Sequence, residues 1–272
     1  MRGIGIIRPA PWVRGACICL LIGTTIAAAG QSPTPQSASG LPPPVSAHGP
    51  LPVYIEEFFL SEAVRSEEDG ELQFTIGTAA FRGRGSSLDG DSADLDIEYG
   101  LTDRLQLGFE VPYGINSTPT SEIPTSWSAA DMSILYQFIS GNHPFALSAA
   151  LGVNAPLTNR GDLSYEPELM IAKAFGRLQI HSNVSPELGD DTSLAYNVAA
   201  VRPLSHHWIS TLEFNGRRDS AENSFYVTPG IYKHLPHRLE AGIGVPLGVG
   251  QHSNPTGVIF KMTWEIGGDK DD

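Results

Sequence analysis

The chain contains little cysteine and little positive charge. Both of its cysteines, Cys17 and Cys19, lie in the first 30 residues, so a chain without this part has no disulfides and no cysteine–metal sites. Lys and Arg number 17 against 30 Asp and Glu. Because nucleic-acid binding needs a basic surface, this balance argues against a nucleic-acid partner.

Long apolar runs are also scarce, and the one near the start has the features of an export signal. Three arginines precede the apolar residues 16–28, and small residues follow them. We predict that residues 1–30 are a signal peptide, cleaved after Ala29 or Gly30. The alternative is a membrane anchor, but about 13 apolar residues fall short of the ~20 that a spanning helix needs. Removing the signal leaves 14 basic and 30 acidic residues, a net charge of −16.

In place of apolar runs, the rest of the chain alternates between apolar and polar or small residues. Side chains in a strand point alternately to opposite faces, so each such segment has one apolar face. About twelve segments, each near the ~9–11 residues of a membrane strand, follow one another over residues 69–266. We therefore predict an all-β fold, a transmembrane antiparallel up-and-down β-barrel of about twelve strands, with ten or fourteen as alternatives. One segment shows the pattern most clearly, with apolar residues at every second position: Leu239, Ala241, Ile243, Val245, Leu247 and Val249.

Two regions lie outside the predicted barrel. Residues 31–68 are rich in Pro and Ser at their start and form a predicted periplasmic leader. Its last part, 53–68, contains a short apolar segment that fits either a helix or an extended stretch that plugs or flanks the barrel mouth. Residues 267–272 form a polar tail.

Connection lengths and aromatic positions both favour a membrane barrel over a soluble β-sandwich, which alternation also allows. The connections at one end are mostly tight, whereas 115–128 is long, as expected for the opposite end. Aromatic residues fall at strand ends, where the two membrane interfaces would lie. The set predicted for the periplasmic interface is Tyr99, Phe138, Phe145, Phe175, Trp208, Tyr232 and Trp264.

The polar residues that alternate with apolar ones along each strand should face the barrel interior, and they are the candidate lumen-lining residues. Acids outnumber bases among them, so an open pore would favour cations. A closed interior, in which these groups pair with one another, is the alternative. The candidates are Asp94, Asp96, Glu98, Glu110, Asp131, Glu166, Glu168, His181, Glu213, Arg217, Glu240 and Lys261.

Enzymatic and metal chemistry have little support. Asp94, Asp96 and Glu98 share one strand face and suit a hard cation, but we favour solvated lumen acids as their interpretation. His181 and Ser185 share a face but lie roughly 13 Å apart in an extended strand, beyond hydrogen-bond reach. We expect no enzyme, no catalytic, cofactor-binding or metal-binding residues, and no cofactor.

One stretch resembles a known family. Residues 94–113, DLDIEYGLTDRLQLGFEVPY, together with 69–74 and 131–136, are similar to a family of bacterial outer-membrane barrels labelled meta-pathway-of-phenol-degradation or transporter-like proteins. The resemblance implies uptake of hydrophobic or aromatic compounds across the outer membrane, and no catalytic residue.

The predicted function is therefore an outer-membrane channel or transporter-like protein that passes small molecules passively. Its expected partners are outer-membrane lipid, the outer-membrane assembly machinery and a solute of unknown identity. The alternatives are a barrel enzyme that acts on lipids and a non-conducting structural or adhesive barrel.

Overall fold

The computed structural model describes residues 51–82, 88–115, 126–127, 129–139, 143–157, 162–189, 192–219, 223–249, 253 and 256–268. The predicted signal peptide, the first part of the predicted leader (31–50), most of the long connection 115–128 and the end of the polar tail lie outside these residues. No helix in the described part of the chain is long and apolar enough to cross a membrane.

The described residues form fourteen strands, all in one antiparallel sheet. They are β1 (Leu72–Arg82), β2 (Leu88–Thr102), β3 (Leu105–Ile115), β4 (Ser126–Trp127), β5 (Ala129–Ile139), β6 (Phe145–Pro156), β7 (Ser164–Phe175), β8 (Leu178–Glu187), β9 (Ser193–Pro203), β10 (Trp208–Arg218), β11 (Asn223–Leu235), β12 (Leu239–Gly244), β13 (Leu247–Gly248) and β14 (Thr256–Ile266).

The sheet closes on itself. β1 pairs with β2 on one side and with β14 on the other, in register from Leu72↔Ile266 to Arg82↔Thr256. The two short strands occupy no new position around the ring, because β4 pairs with β3 beyond β5, and β13 extends β12 in the same register against β11 and β14. The predicted antiparallel barrel of twelve strands is confirmed.

The two faces of the barrel differ as the alternation predicts. Large apolar side chains are exposed on the outside, including Leu107, Phe109 and Met132, whereas polar side chains are buried on the inside. A closed barrel also satisfies the backbone hydrogen bonds that a bilayer cannot. The prediction that Tyr232 lies at the membrane interface is wrong. Tyr232 is only 1% exposed and lies inside the barrel, because it is an even number of positions from the inward Tyr226 and Thr228 of the same strand.

Residues 51–68, called here the inner segment, lie inside the barrel in an extended, irregular path before β1. Phe58, Phe59 and Val64 are each 1% exposed and belong to a buried apolar cluster with inward residues of the strands. The core of the molecule is thus the contact between the inner segment and the barrel wall.

Candidate functional site

The inward surface of the barrel has two unlike halves. Strands β2, β3 and β5 present the acids Asp96, Glu98, Glu110 and Asp131, all buried. Strands β6, β7 and β9 present small apolar side chains, which join the buried cluster with the inner segment. These are Ala146, Ala150, Ala172, Ala199 and Val201. The lumen is therefore polar on one side and partly apolar on the other.

Glu213 on β10 holds the middle of the inner segment. Its carboxylate accepts hydrogen bonds from three consecutive backbone N–H groups, those of Phe59, Leu60 and Ser61, each at 2.8 Å. Glu213 is 0% exposed, so these bonds are made away from bulk water. Hydrogen bonds to a charged acceptor are stronger than neutral ones, which makes Glu213 the main anchor of the inner segment.

A buried ion pair forms the second anchor. Nζ of Lys261 on β14 donates to Glu57 of the inner segment at 2.6 Å. Glu57 also approaches Asp96 and Glu98 on β2, with oxygens of the three carboxyl groups within 4.8 Å of one another. The inner segment thus adds an acid to the acidic side of the lumen, where Lys261 offsets part of the negative charge.

Most remaining contacts join a wall side chain to a backbone group of the inner segment. Gln106 accepts from the N–H of Glu67 at 2.8 Å, and Ser148 and Gln137 donate to the carbonyl of Val64. Further contacts of this kind are Gln179 to the Pro52 carbonyl, Glu240 to the Glu56 N–H, and His234 to the Tyr54 carbonyl. Among the described residues the segment pairs with no strand, so wall side chains satisfy many of its backbone groups.

Two glycines make room for an aromatic ring of the inner segment. A Cβ added to Gly230 would lie 2.2 Å from the Phe59 ring, and one added to Gly244 would lie 2.8 Å from it. Phe59 stacks on Tyr232, with ring centroids 4.5 Å apart and planes 26° apart. The small residues of β11 and β12 therefore form a groove that fits this ring.

Two carboxyl groups of the inner segment have raised pKa values. Burial raises the pKa of Glu56 well above its usual range, and Glu265 and Glu240 raise it further. Burial also raises the pKa of Glu67, with Glu71 the next contributor. Both groups therefore stay neutral to higher pH than an exposed glutamate does.

The predicted lumen residues all lie on the inward face. Asp94 and Glu166 are partly buried, and the other ten are buried. Several pair with neighbours on the wall: Arg217 with Glu187, Glu168 with Asn183, Glu166 with Ser185, and Asp131 with Asn154. Glu213, Glu240 and Lys261 contact the inner segment instead. The candidates thus include both wall-pairing residues and segment-binding residues.

Sequence reasoning missed the inner segment's contacts and the inward alanines. Alanine is small enough to occupy either face of a strand, so the alternation does not place it. Gly242 and Gly244 were a usable signal, because glycine at inward positions of a strand indicates close approach of another group.

The described residues define the class of closed antiparallel β-barrels, with a lumen that the inner segment occludes. The chain is similar in structure to an outer membrane channel from Pseudomonas putida F1, at 11% identity and a TM-score of 0.56, covering 75% of this chain and 98% of that one. It is also similar to the KdgM porin (11% identity, TM-score 0.53, 72% and 99% covered) and to the NanC porin (8%, 0.52, 71% and 97%). No family model matches the sequence, and no curated protein matches it. At these identities the likeness concerns the fold.

Proposed function

We propose that this protein is an outer-membrane channel for the passive passage of small molecules, and that the inner segment holds it closed. We also propose that the protein lies in the bacterial outer membrane. The molecules that pass through it are small hydrophobic or aromatic solutes, as the family resemblance of residues 94–113 implies.

This proposal is supported by the way the inner segment fills the lumen, which is through side-chain contacts with the wall. The wall is complete without the inner segment, since its strands pair only with one another. The segment is held by side chains such as Glu213 and Lys261, and by packing against small residues. A filling of this type can leave without unfolding the barrel, which is what a gated channel requires.

The charges that an emptied lumen would expose favour cations. Glu213 and Glu240 lose their backbone donors when the segment leaves, and the acids of β2, β3 and β5 remain on the wall. A pore lined by one sign of charge concentrates ions of the opposite sign. We expect cation preference in the open state, in addition to any passage of neutral solutes.

Conductance in planar bilayers tests the proposal. The chain lacking residues 31–66 should fold, as shown by a gel mobility shift on boiling, and conduct several-fold more than the chain that keeps them. Under a KCl gradient its reversal potential should have the sign of a cation-selective pore. A deleted chain that folds but leaves the bilayer sealed would contradict the channel function.

The two rival functions predict other results. A barrel enzyme requires lipid turnover that His181→Ala abolishes. A structural or adhesive barrel requires partner binding, with no conductance in either form of the chain. The loop that such a barrel would use, within 115–128, lies mostly outside the described residues.

A further inference from the structure

A small cavity lies between the inner segment and β8. Its walls are two arms of the segment, residues 51–55 and 63–65, and the side chains of Gln179 and His181. Its volume is about 20 Å³, which is room for one group the size of a water molecule or a hydroxyl. Most of the arm residues around it are apolar, so its few polar side chains, such as Gln179 and His181, lie among apolar ones.

Two of the residues that line this cavity each carry a buried polar atom without a partner in the described part of the chain. Among the residues that the structure describes, neither the Tyr54 hydroxyl nor Nδ1 of His181 has a hydrogen-bond partner. Tyr54 is 6% exposed and His181 is 8% exposed. Leaving such groups unpaired inside a protein is costly, so their presence on one cavity indicates a group that completes them.

The hydrogen-bond network defines which atom of His181 can donate. The Nε2 amide group of Gln179 donates to the Pro52 carbonyl, which turns the Gln179 Oε1 towards His181. Nε2 of His181 lies 3.2 Å from that oxygen and must carry the hydrogen between them. In the neutral imidazole Nδ1 is then an acceptor, and it needs a donor from the cavity.

The other two groups on the cavity can donate. The Tyr54 hydroxyl donates or accepts, and Arg65 donates only. Arg65 lines the same cavity and is near enough to His181 to interact with it electrostatically. A matching ligand group therefore gives one hydrogen to Nδ1 and accepts one from Tyr54 or Arg65. An alcohol hydroxyl does both, whereas a carboxylate or an ether cannot give the hydrogen.

We propose that this cavity binds the hydroxyl group of a small alcohol whose apolar body lies between the two arms of the inner segment. The cavity holds the hydroxyl alone, so the arms 51–55 and 63–65 must separate to admit the body. Binding thus opposes the closed packing of the segment. This consequence rests on the proposed channel function, while binding itself can be measured without transport.

The test uses the purified mature chain in detergent with cyclohexanol as the probe. The ¹⁵N resonance of His181 Nδ1, identified by its loss in His181→Gln, reports hydrogen bonding at that atom. Cyclohexanol should shift it saturably, and methoxycyclohexane, which lacks the hydroxyl hydrogen, should not. Tyr54→Phe should weaken the apparent affinity about fivefold, the loss expected for one hydrogen bond.

Thr228→Val is the matched control. Thr228 also has a buried hydroxyl with no partner among the described residues, but it does not line the cavity. Its variant should bind cyclohexanol as the unchanged chain does. Equal shifts from the alcohol and the ether, no saturable shift, or equal effects of the two hydroxyl deletions would overturn the proposal and leave a water site. A chain that fails to conduct but shows the predicted shifts would refute the channel alone.

Discussion

The barrel wall and the inner segment are held together by different interactions. The wall strands satisfy one another's backbone groups through a closed ladder, from β1 around to β14. The inner segment depends on side chains of the wall, chiefly Glu213, Lys261 and Gln106, for its backbone and charged groups. A single substitution can therefore release the segment and leave the wall intact.

Trypsin gives a direct readout of this difference. Arg65 is the only Lys or Arg between residues 31 and 71, and it lies inside the barrel. Cleavage after Arg65 thus reports release of the segment, while the mobility shift on boiling reports the state of the wall.

The largest effect is expected from Glu213→Ala. The change removes the acceptor of three backbone N–H groups, and the closed state should lose roughly 4 kcal/mol relative to the open one. Cleavage at Arg65 and bilayer conductance should both rise strongly. Glu166→Gln, which alters a carboxyl bonded to Ser185 of the wall, is the control and should change neither.

Lys261→Met should have the next largest effect. It leaves Glu57 buried without its ammonium partner, at a cost of about 3 kcal/mol. The double variant Lys261→Met, Glu57→Gln removes both charges and should recover much of the closed state. If the double variant is as open as the single one, the ion pair is not an anchor.

Gly244→Ala should act through shape alone. The new methyl group would meet the Phe59 ring at 2.8 Å, and such overpacking costs about 1–2 kcal/mol. Cleavage at Arg65 should increase moderately. Gly114→Ala is the matched control, because a Cβ there has no neighbour within 4 Å among the described residues. Equal cleavage of the two variants would argue against the groove.

The smallest predicted effect is that of pH. Glu56 and Glu67 have raised pKa values in the closed state, so the closed state binds protons more tightly than the released segment does. Their stabilising contribution is complete below the ordinary glutamate pKa of 4.5 and is lost as the pH rises through the raised values. Conductance should thus increase a few-fold from pH 5 to pH 8. The variant Glu56→Gln, Glu67→Gln should flatten this dependence.

The difference between the barrel wall and the inner segment also explains how much the sequence could predict. Period-two alternation is a local property of each strand, so the wall and its strand count followed from it. The register also placed Glu213 and Lys261 on the inward face. Their partners Phe59 and Glu57 lie more than 150 positions away in the chain, and no local pattern links them. Tyr232 was misplaced because an aromatic residue at a strand end fits either face.

Conductance of a chain whose inner segment is cross-linked to the wall shows directly whether this segment closes the channel. Ser61 and Asn215 are in hydrogen-bond contact at 3.0 Å, and the predicted mature chain has no native cysteine. In the Ser61→Cys, Asn215→Cys variant, a short cross-linker with two thiol-reactive groups should join the two cysteines. The cross-linked channel should stay closed under conditions that open the untreated variant. Equal conductance of the cross-linked and untreated forms would contradict it.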